Sequence, residues 1–259
     1  MDFMKLKDKY VVVMGVANHR SLAWDIAKKL HEVGAHLIFT YRKERSKQKI
    51  EELIKKEMPS QMRVVSCDVN QDESIEKAFA YIKEEVGVIH GLVHSVAFAN
   101  KEELKGEYAE TSREGYLLAQ ESSAYSLVAV SNHAKKIMTE GGSIITMTYL
   151  GGERVVQNYN VMGVAKAALE SSVKYLANDL GKYNIRVNAI SAGAIKTLAA
   201  KGVSGFNDML KEIEEKSPMR KSVTQDDVAK TSLYLLSDLS TGVTGENIHV
   251  DSGYHIMGM

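Results

Sequence analysis

Ser143-Ile144-Ile145-Thr146-Met147-Thr148, and the run after it from Tyr149-Leu150-Gly151-Gly152 through Gln157-Asn158-Tyr159-Asn160-Val161-Met162-Gly163-Val164-Ala165-Lys166, decide the fold. The first six residues are β-branched and apolar and follow the Gly141-Gly142 break, which is how a strand buried on both faces of a parallel sheet reads. Tyr149 then stands at or just past the carboxyl end of that strand, where ligands bind in doubly wound sheets. From about Gln157 to Leu180 the small and apolar residues Val161, Ala165, Ala168, Leu169, Ser172 and Leu176 recur at three- and four-residue spacing, as on the packed face of a helix. Tyr159 and Lys166 share a face of that helix, separated by roughly 10 Å of rise. Helical side chains lean toward the amino terminus, so the lysine reaches back toward the phenol and the two can address one elongated ligand. A phenol beside an ammonium suits donation to a developing oxyanion, and the ammonium is expected to favour the phenolate. Tyr149, Tyr159 and Lys166 are therefore the candidate catalytic residues. A boundary tyrosine and a solvated lysine would read the same in isolation.

Working outward, short apolar runs alternate with amphipathic ones along the chain. Strands are expected at Tyr10–Met14, His36–Thr40, Arg63–Cys67, Ile89–His94, Ser143–Thr148, Ile185–Ile190 and Asn247–Val250. Helices are expected at Leu22–Val33, Glu44–Glu57, Asp72–Val86, along Gly115–Met138, and at Gln157–Leu180 and Gln225–Leu236. Alternating β and α units require right-handed crossovers and a parallel sheet covered on both faces. The expectation is an α/β chain: one Rossmann-type, doubly wound domain over residues 1–259, with about seven strands and helices on both faces. The only prolines are Pro59 and Pro218, and no linker or repeat interrupts the pattern.

With 259 residues, 44% hydrophobic and 25% charged, the chain can bury a substantial core. Its 33 basic and 33 acidic residues cancel, so no global field draws it to nucleic acid or to anionic membranes, and neither is an expected partner. The single cysteine, Cys67, lies in a strand-like run and reads as a small buried hydrophobe. No apolar run reaches about 18 residues, and Met1 to Lys9 lack an apolar signal core, so a reducing cytoplasm is the expected setting. The histidines, His19 and His94 among them, lack metal-ligand spacing, and no metal is expected.

The first strand runs into Gly15-Val16-Ala17-Asn18-His19-Arg20-Ser21-Leu22-Ala23, a turn opening a helix, where a Rossmann fold receives a dinucleotide pyrophosphate. The run is not G-x-G-x-x-G, yet Gly15 can make the tight turn, and the small Ser21 and Ala23 beside Leu22 let a phosphate approach. After the second strand, where NAD-specific sites carry an acid for the ribose, stand Arg42 and Lys43, which can neutralise a 2′-phosphate. NADPH is the expected cofactor, with NADH as a weaker alternative. Asp68 and Val69 follow the third strand, where Asp68 can accept the adenine amino group. Ser95, Val96 and Ala97 follow the fourth and let the adenosine and ribose pass close to the backbone; Ala99, just beyond, is assigned to the substrate side with Tyr149 and Tyr159. After the sixth strand Ile195, Thr197 and Leu198 open a glycine-containing segment, and a substrate lid is expected at about 193–216. A plain surface connection is the alternative there.

Together these runs resemble the short-chain dehydrogenase/reductase superfamily, and within it the bacterial enoyl-acyl carrier protein reductases, along essentially the whole chain. Ordinary members carry Y-x-x-x-K and a T-G-x-x-x-G-x-G turn; this chain has neither, and the wider spacing from Tyr159 to Lys166 is similar to the enoyl reductases. Asn158 to Lys166, Arg186-Val187-Asn188-Ala189-Ile190-Ser191-Ala192-Gly193 and Thr244 to Gly253 resemble that family's runs as well. Where the family usually has Gly-Pro-Ile, this chain has Gly193-Ala194-Ile195, which frees φ and restores an amide donor. The resemblance implies reduction of the trans-2 double bond of fatty acyl thioesters in bacterial fatty acid synthesis, with Tyr159 stabilising an enolate, Lys166 holding the nicotinamide ribose and Tyr149 lining the substrate side. It further implies acyl carrier protein as the partner bearing the thioester, with Lys201 a candidate contact, and a homotetramer packed through the helices near Gly115–Met138 and Gln157–Leu180. A carbonyl reductase of the same superfamily and a dinucleotide-binding regulator are the rival readings.

Overall fold

The computed structural model describes residues 4–58, 62–196 and 206–258, with only the backbone of 206–209. Seven parallel strands form one sheet in the order β3-β2-β1-β4-β5-β6-β7. They are β1 (Tyr10–Met14), β2 (His36–Tyr41), β3 (Arg63–Ser66), β4 (Gly91–His94), β5 (Gly142–Thr148), β6 (Ile185–Ala192) and β7 (Asn247–Val250). The order reverses direction between β1 and β4, and this switch leaves a crevice at the carboxyl edge between two loops that run off to opposite faces.

Alternation along each strand divides the core in two. Val12, Met14, Ile38, Leu92, Ile144 and Val187 face the helices α3 (Asp72–Val86), α5 (Ser126–Ala134) and α6 (Asn160–Leu180). Their neighbours Val11, Val13, Leu37, Phe39, Val93 and Ile145 face α1 (Leu22–Glu32), α2 (Glu44–Glu57) and α8 (Gln225–Leu236). A side-chain period of two places adjacent residues on opposite faces, so continuous apolar runs are what a doubly covered sheet requires. Cys67 is buried in the first of these clusters, and burial pushes its thiol up to about 12, consistent with an inert packing residue.

Four departures from the sequence reading bear on the site. The helix expected from Gln157 begins at Asn160, and Tyr159 is its N-cap residue, with φ −118° and ψ −22°. Asn158 and Asn160 on either side take φ of 60° and 26°, a left-handed approach that asparagine tolerates and that delays the first helical turn. The long helix expected over Gly115–Met138 is instead α4 (Arg113–Gln120), a π turn at Glu121–Tyr125 and α5. Serines spoil its regularity: Ser126 Oγ donates back to the Ser122 carbonyl, while Ser122 and Ser123 bond Asn70 and the Phe98 backbone. Strand ends differ by a residue or two, β4 starting at Gly91 and β6 extending to Ala192. Finally, the segment read as a lid contains a helix the sequence reading did not assign, α7 (Phe206–Lys216).

Candidate active site

Because every strand runs the same way, the residues after β1 to β6 gather along one edge. At the end of β1, Gly15 has φ +95°, and a Cβ there would stand 1.9 Å from the Ser95 carbonyl oxygen. The loops after β1 and β4 thus touch backbone to backbone, a contact only glycine permits. Ser21 Oγ accepts from the amides of Ala17 and Asn18 at 3.0 and 3.1 Å, closing the turn, and caps no amide of α1, which starts at Leu22. In the first turn of that helix the Trp24 amide already donates to the Ser21 carbonyl at 2.9 Å, so an anion would be met by the amides of Leu22 and Ala23.

At the ends of β2 and β3, Arg42 and Asp68 come together, with Nε to Oδ2 at 3.5 Å; Lys43 is the exposed N-cap residue of α2 beside them. Asp68 Oδ1 also accepts from the Asn70 amide, and the neighbouring Val69 is buried. After β4, Ser95 and Val96 are half-buried and Ala97 is exposed, while Phe98 is pinned through its backbone to Ser123. Ala99 and Tyr159 both pack against a small cluster of Leu104, Ala119, Val161, Met162 and Ala165, so two of the residues assigned to substrate share one apolar patch.

The densest part of the edge lies beyond β5. The Tyr149 and Tyr159 rings meet edge to face, centroids 5.2 Å apart at 77°. A Cβ on Gly151 would come within 2.4 Å of the Tyr159 ring, so the Gly151-Gly152 turn is what lets that ring seat. Lys166 is buried at 6% exposure and its Nζ donates to the Met147 carbonyl at 2.8 Å. An ammonium carries three donors, so two are left for a ligand.

Burial dominates the electrostatics here. It pushes Tyr149 up to about 12 and raises Tyr159 as well, Tyr149 and Glu170 adding to the latter. The expectation that Lys166 favours a phenolate is therefore corrected: burial, Tyr149 and Glu170 all act against the Tyr159 anion, and the phenol stays a donor. Desolvation likewise lowers Lys166 to about 8, with Glu170 opposing the shift. His94, 1% exposed, is pressed down to about 3 by burial and by Lys166; its ring nitrogens bond Thr146 and Ser126, both at 2.9 Å. It is a neutral brace between β4, β5 and α5, not a titrating group.

Past β6, Ile195 packs against the cluster of α1, α2 and α8, while Ala194 is buried against Leu210 and Ile213 of α7, with Tyr254 over them. The alanine that stands where the resembling family has proline thus seats α7. Thr197, Leu198 and Lys201 lie outside the described residues, as do residues 197–205 of the expected lid as a whole. A pocket opens here between Tyr149, Gly193, Ala194, Ile213, Asp251 and Tyr254.

Sequence reasoning missed the carboxyl-terminal contribution. Asp251 accepts from the Gly253 and His255 amides and from the His255 ring. That ring stacks on His249 at 3.9 Å, and His249 meets Glu153 at 2.8 Å. It also missed Glu170, which accepts from Thr148 Oγ1 at 2.6 Å and stands one turn beyond Lys166. That helical spacing was a usable signal; for the stacked histidines, alternate positions on one strand and a later turn gave none. Among the described residues no group of histidine, cysteine and carboxylate side chains could hold a metal ion, and no helix is long and apolar enough to cross a membrane.

A family model described as enoyl-(acyl carrier protein) reductase matches residues 15–255. The enoyl-[acyl-carrier-protein] reductase [NADH] FabI of Bacillus cereus is 62% identical over 253 residues, covering 98% of this chain and 99% of the relative. The enzyme named enoyl-[acyl-carrier-protein] reductase [NADPH] FabI of Staphylococcus aureus is 59% identical over 97% of this chain and 98% of its own. A crystal structure of the Bacillus cereus enoyl-acyl carrier protein reductase with NADP+ and an indole naphthyridinone superimposes with a TM-score of 0.96 at 61% identity, covering 98% and 99% of the two chains.

Proposed function

The chain belongs to the enoyl-acyl carrier protein reductase family, and from that premise we propose how its residues divide the work. Its reaction is the reduction of the trans-2 double bond of a fatty acyl thioester carried on acyl carrier protein, in fatty acid synthesis, with a nicotinamide cofactor. The backbone cradle at Gly15 and Ser95, and the uncapped start of α1, fit a dinucleotide pyrophosphate. Gly15, Ser21 and Leu22 would hold it, Asp68 and Val69 the adenine, Ser95 to Ala97 the ribose side, and Ile195 with Thr197 and Leu198 the nicotinamide end. Arg42 and Lys43 would receive a 2′-phosphate, which makes NADPH the preferred cofactor over NADH.

When bound, the nicotinamide supplies a hydride to C3 of the substrate. Negative charge then develops on the thioester oxygen, the protein's part is to meet it, and uptake of a proton at C2 collapses the enolate to the saturated thioester. One observation carries this reading: the Tyr149 and Tyr159 pair at the end of β5, kept protonated by burial, with the buried ammonium of Lys166 held at the same strand end by the Met147 carbonyl. Tyr159 donates its hydroxyl proton in a hydrogen bond that strengthens as the enolate forms, which lowers the barrier rather than only binding the ground state. Tyr149 lines the substrate side with Ala99. Lys166, with two donors beyond its Met147 bond, grips the ribose hydroxyls and fixes the cofactor's orientation. Exposed Leu117, Tyr125 and Tyr175 on α4, the π turn and α6 support assembly into a homotetramer through those faces, in the cytoplasm.

The test is an absorbance trace of NADPH oxidation with an enoyl thioester, with a 3-ketoacyl thioester and with neither. Consumption with the enoyl substrate alone is expected; consumption with the keto substrate alone would make the protein a carbonyl reductase. In the same assay series, Lys166→Ala is expected to weaken NADPH binding by about 2–3 kcal/mol, the loss of a charged donor. An unchanged dissociation constant would remove Lys166 from the cofactor site.

A further inference from the structure

The reading of Lys166 leaves a question of charge. An ammonium this buried, donating to one carbonyl, needs a counter-charge to remain ionised. Within the described residues the titratable groups around it are His94 on β4, Glu170 on α6 and, around Glu170, Tyr159 with Tyr149 behind it, Glu153 of the turn after β5 and His249 of β7. His94 is neutral above about pH 3 and both tyrosines stay protonated into the alkaline range. Glu153 is occupied by His249 and Asn247, at 2.8 Å each. Glu170 is the carboxylate left to face the lysine.

Its carboxylate is anchored at Oε1. Thr148, the last residue of β5 and buried, donates Oγ1 to that oxygen at 2.6 Å, one residue after the Met147 carbonyl that holds Lys166. A Cβ at Gly152 would stand 2.4 Å from the same oxygen, so the glycine leaves it room. Lysine and glutamate four apart on a helix share a face. The end of β5 thus bonds both side chains, one through a carbonyl and one through a hydroxyl, and brings them to one region without a direct ion pair between them.

We propose that Glu170 is the positioning residue of Lys166: its carboxylate, anchored by Thr148 and given room by Gly152, supplies the nearby negative charge that keeps the lysine, aimed by the Met147 carbonyl, ionised for the cofactor. The inference deepens the proposed function and rests on Lys166 meeting the cofactor. Burial raises Glu170 while the Thr148 bond lowers it, so the anchor helps the carboxylate stay ionised. With the carboxylate removed, nothing opposes the desolvation of Lys166, and its titration must move further down.

The decisive measurement is the titration of the Lys166 side chain by nuclear magnetic resonance in the protein without added cofactor, the resonance being assigned by its loss in Lys166→Arg. The wild-type midpoint is expected near 8. In Glu170→Gln it is expected about one unit lower, which leaves roughly tenfold less protonated lysine on the alkaline limb. Glu170→Asp, which keeps the charge and shortens the reach, should fall between the two. NADPH affinity followed from about pH 6.5 to about pH 9.5 should lose its alkaline limb in Lys166→Arg, because arginine stays charged throughout, and show the limb at lower pH in Glu170→Gln. An unchanged midpoint in Glu170→Gln, or equal shifts in the Gln and Asp variants, overturns the proposal and leaves Glu170 a packing residue. A midpoint that moves as expected while Lys166→Ala binds NADPH like wild type sustains the Glu170 proposal as a charge device and sinks the assignment of Lys166 instead.

Discussion

The two halves of the carboxyl edge treat charge in opposite ways. Beyond β2 and β3, Arg42 and Asp68 form a 3.5 Å pair with side chains 49% and 23% exposed, and Lys43 is exposed beside them. Beyond β4 and β5, His94 and Lys166 are buried, Tyr149 and Tyr159 are shielded from water around their hydroxyls, and the ionisation of all four is shifted. The exposed half is screened by water and salt, so its interactions are weak singly and serve to choose between ligands. In the buried half a single donor or charge decides whether the site works. Gly15 and Ser95 are where the halves touch.

Breaking that contact should have the largest effect. Gly15→Ala combines φ +95° with an overlap against backbone at 1.9 Å, so a loss of roughly 4 kcal/mol or more is expected, read as a fall in denaturation midpoint together with lost cofactor binding. A variant as stable as wild type would mean that the halves do not depend on their joint. Next comes the hydroxyl in the buried half: Tyr159→Phe should lower kcat by about a hundredfold to a thousandfold with the NADPH dissociation constant unchanged. If Tyr149→Phe is the more damaging change, the oxyanion donor is Tyr149.

The buried charge should also show in stability. Lys166 holds its proton less tightly folded, near 8, than unfolded, near 10.5, so between these values the unfolded chain binds more protons and stability rises with pH. Below about 8 the full cost of the buried ammonium is present; above about 10.5 it is relieved. Relative to Lys166→Met, the wild type is expected to gain about 1–3 kcal/mol across that window in chemical denaturation. Parallel curves for the two proteins would show that the lysine is not held in a low-dielectric site. The smallest effect belongs to the exposed half. Replacing Arg42 and Lys43 with neutral residues should weaken NADPH about tenfold with NADH little affected, and high salt should shrink the difference. Equal losses for the two cofactors would take the 2′-phosphate away from these residues.

Local pattern alone carried the strands, the helices around them and most of the edge residues. Apolar runs of five or six residues between amphipathic stretches leave one economical solution, a parallel sheet covered on both faces, and that solution sends Gly15, Arg42, Asp68, Ser95 and Tyr149 to the same edge whatever the details of packing. Tyr159 and Lys166 were picked out by a spacing that resembles the enoyl reductases, and the structure sets Tyr159 just ahead of the helix that carries Lys166. Tertiary structure alone decided what the neighbours do to them. The phenols stay protonated because burial disfavours their anions, an effect that depends on the depth of each hydroxyl and not on sequence separation. Tyr159 caps its helix because Asn158 and Asn160 turn left-handed against the Gly151 turn. Glu170, Thr148 and the stacked His249 and His255 meet only once β5, α6, β7 and the carboxyl-terminal turn are packed together, since each contact spans residues on different elements. Sequence periodicity reports which face a residue takes; the field it meets there is set by everything else that arrives at that face.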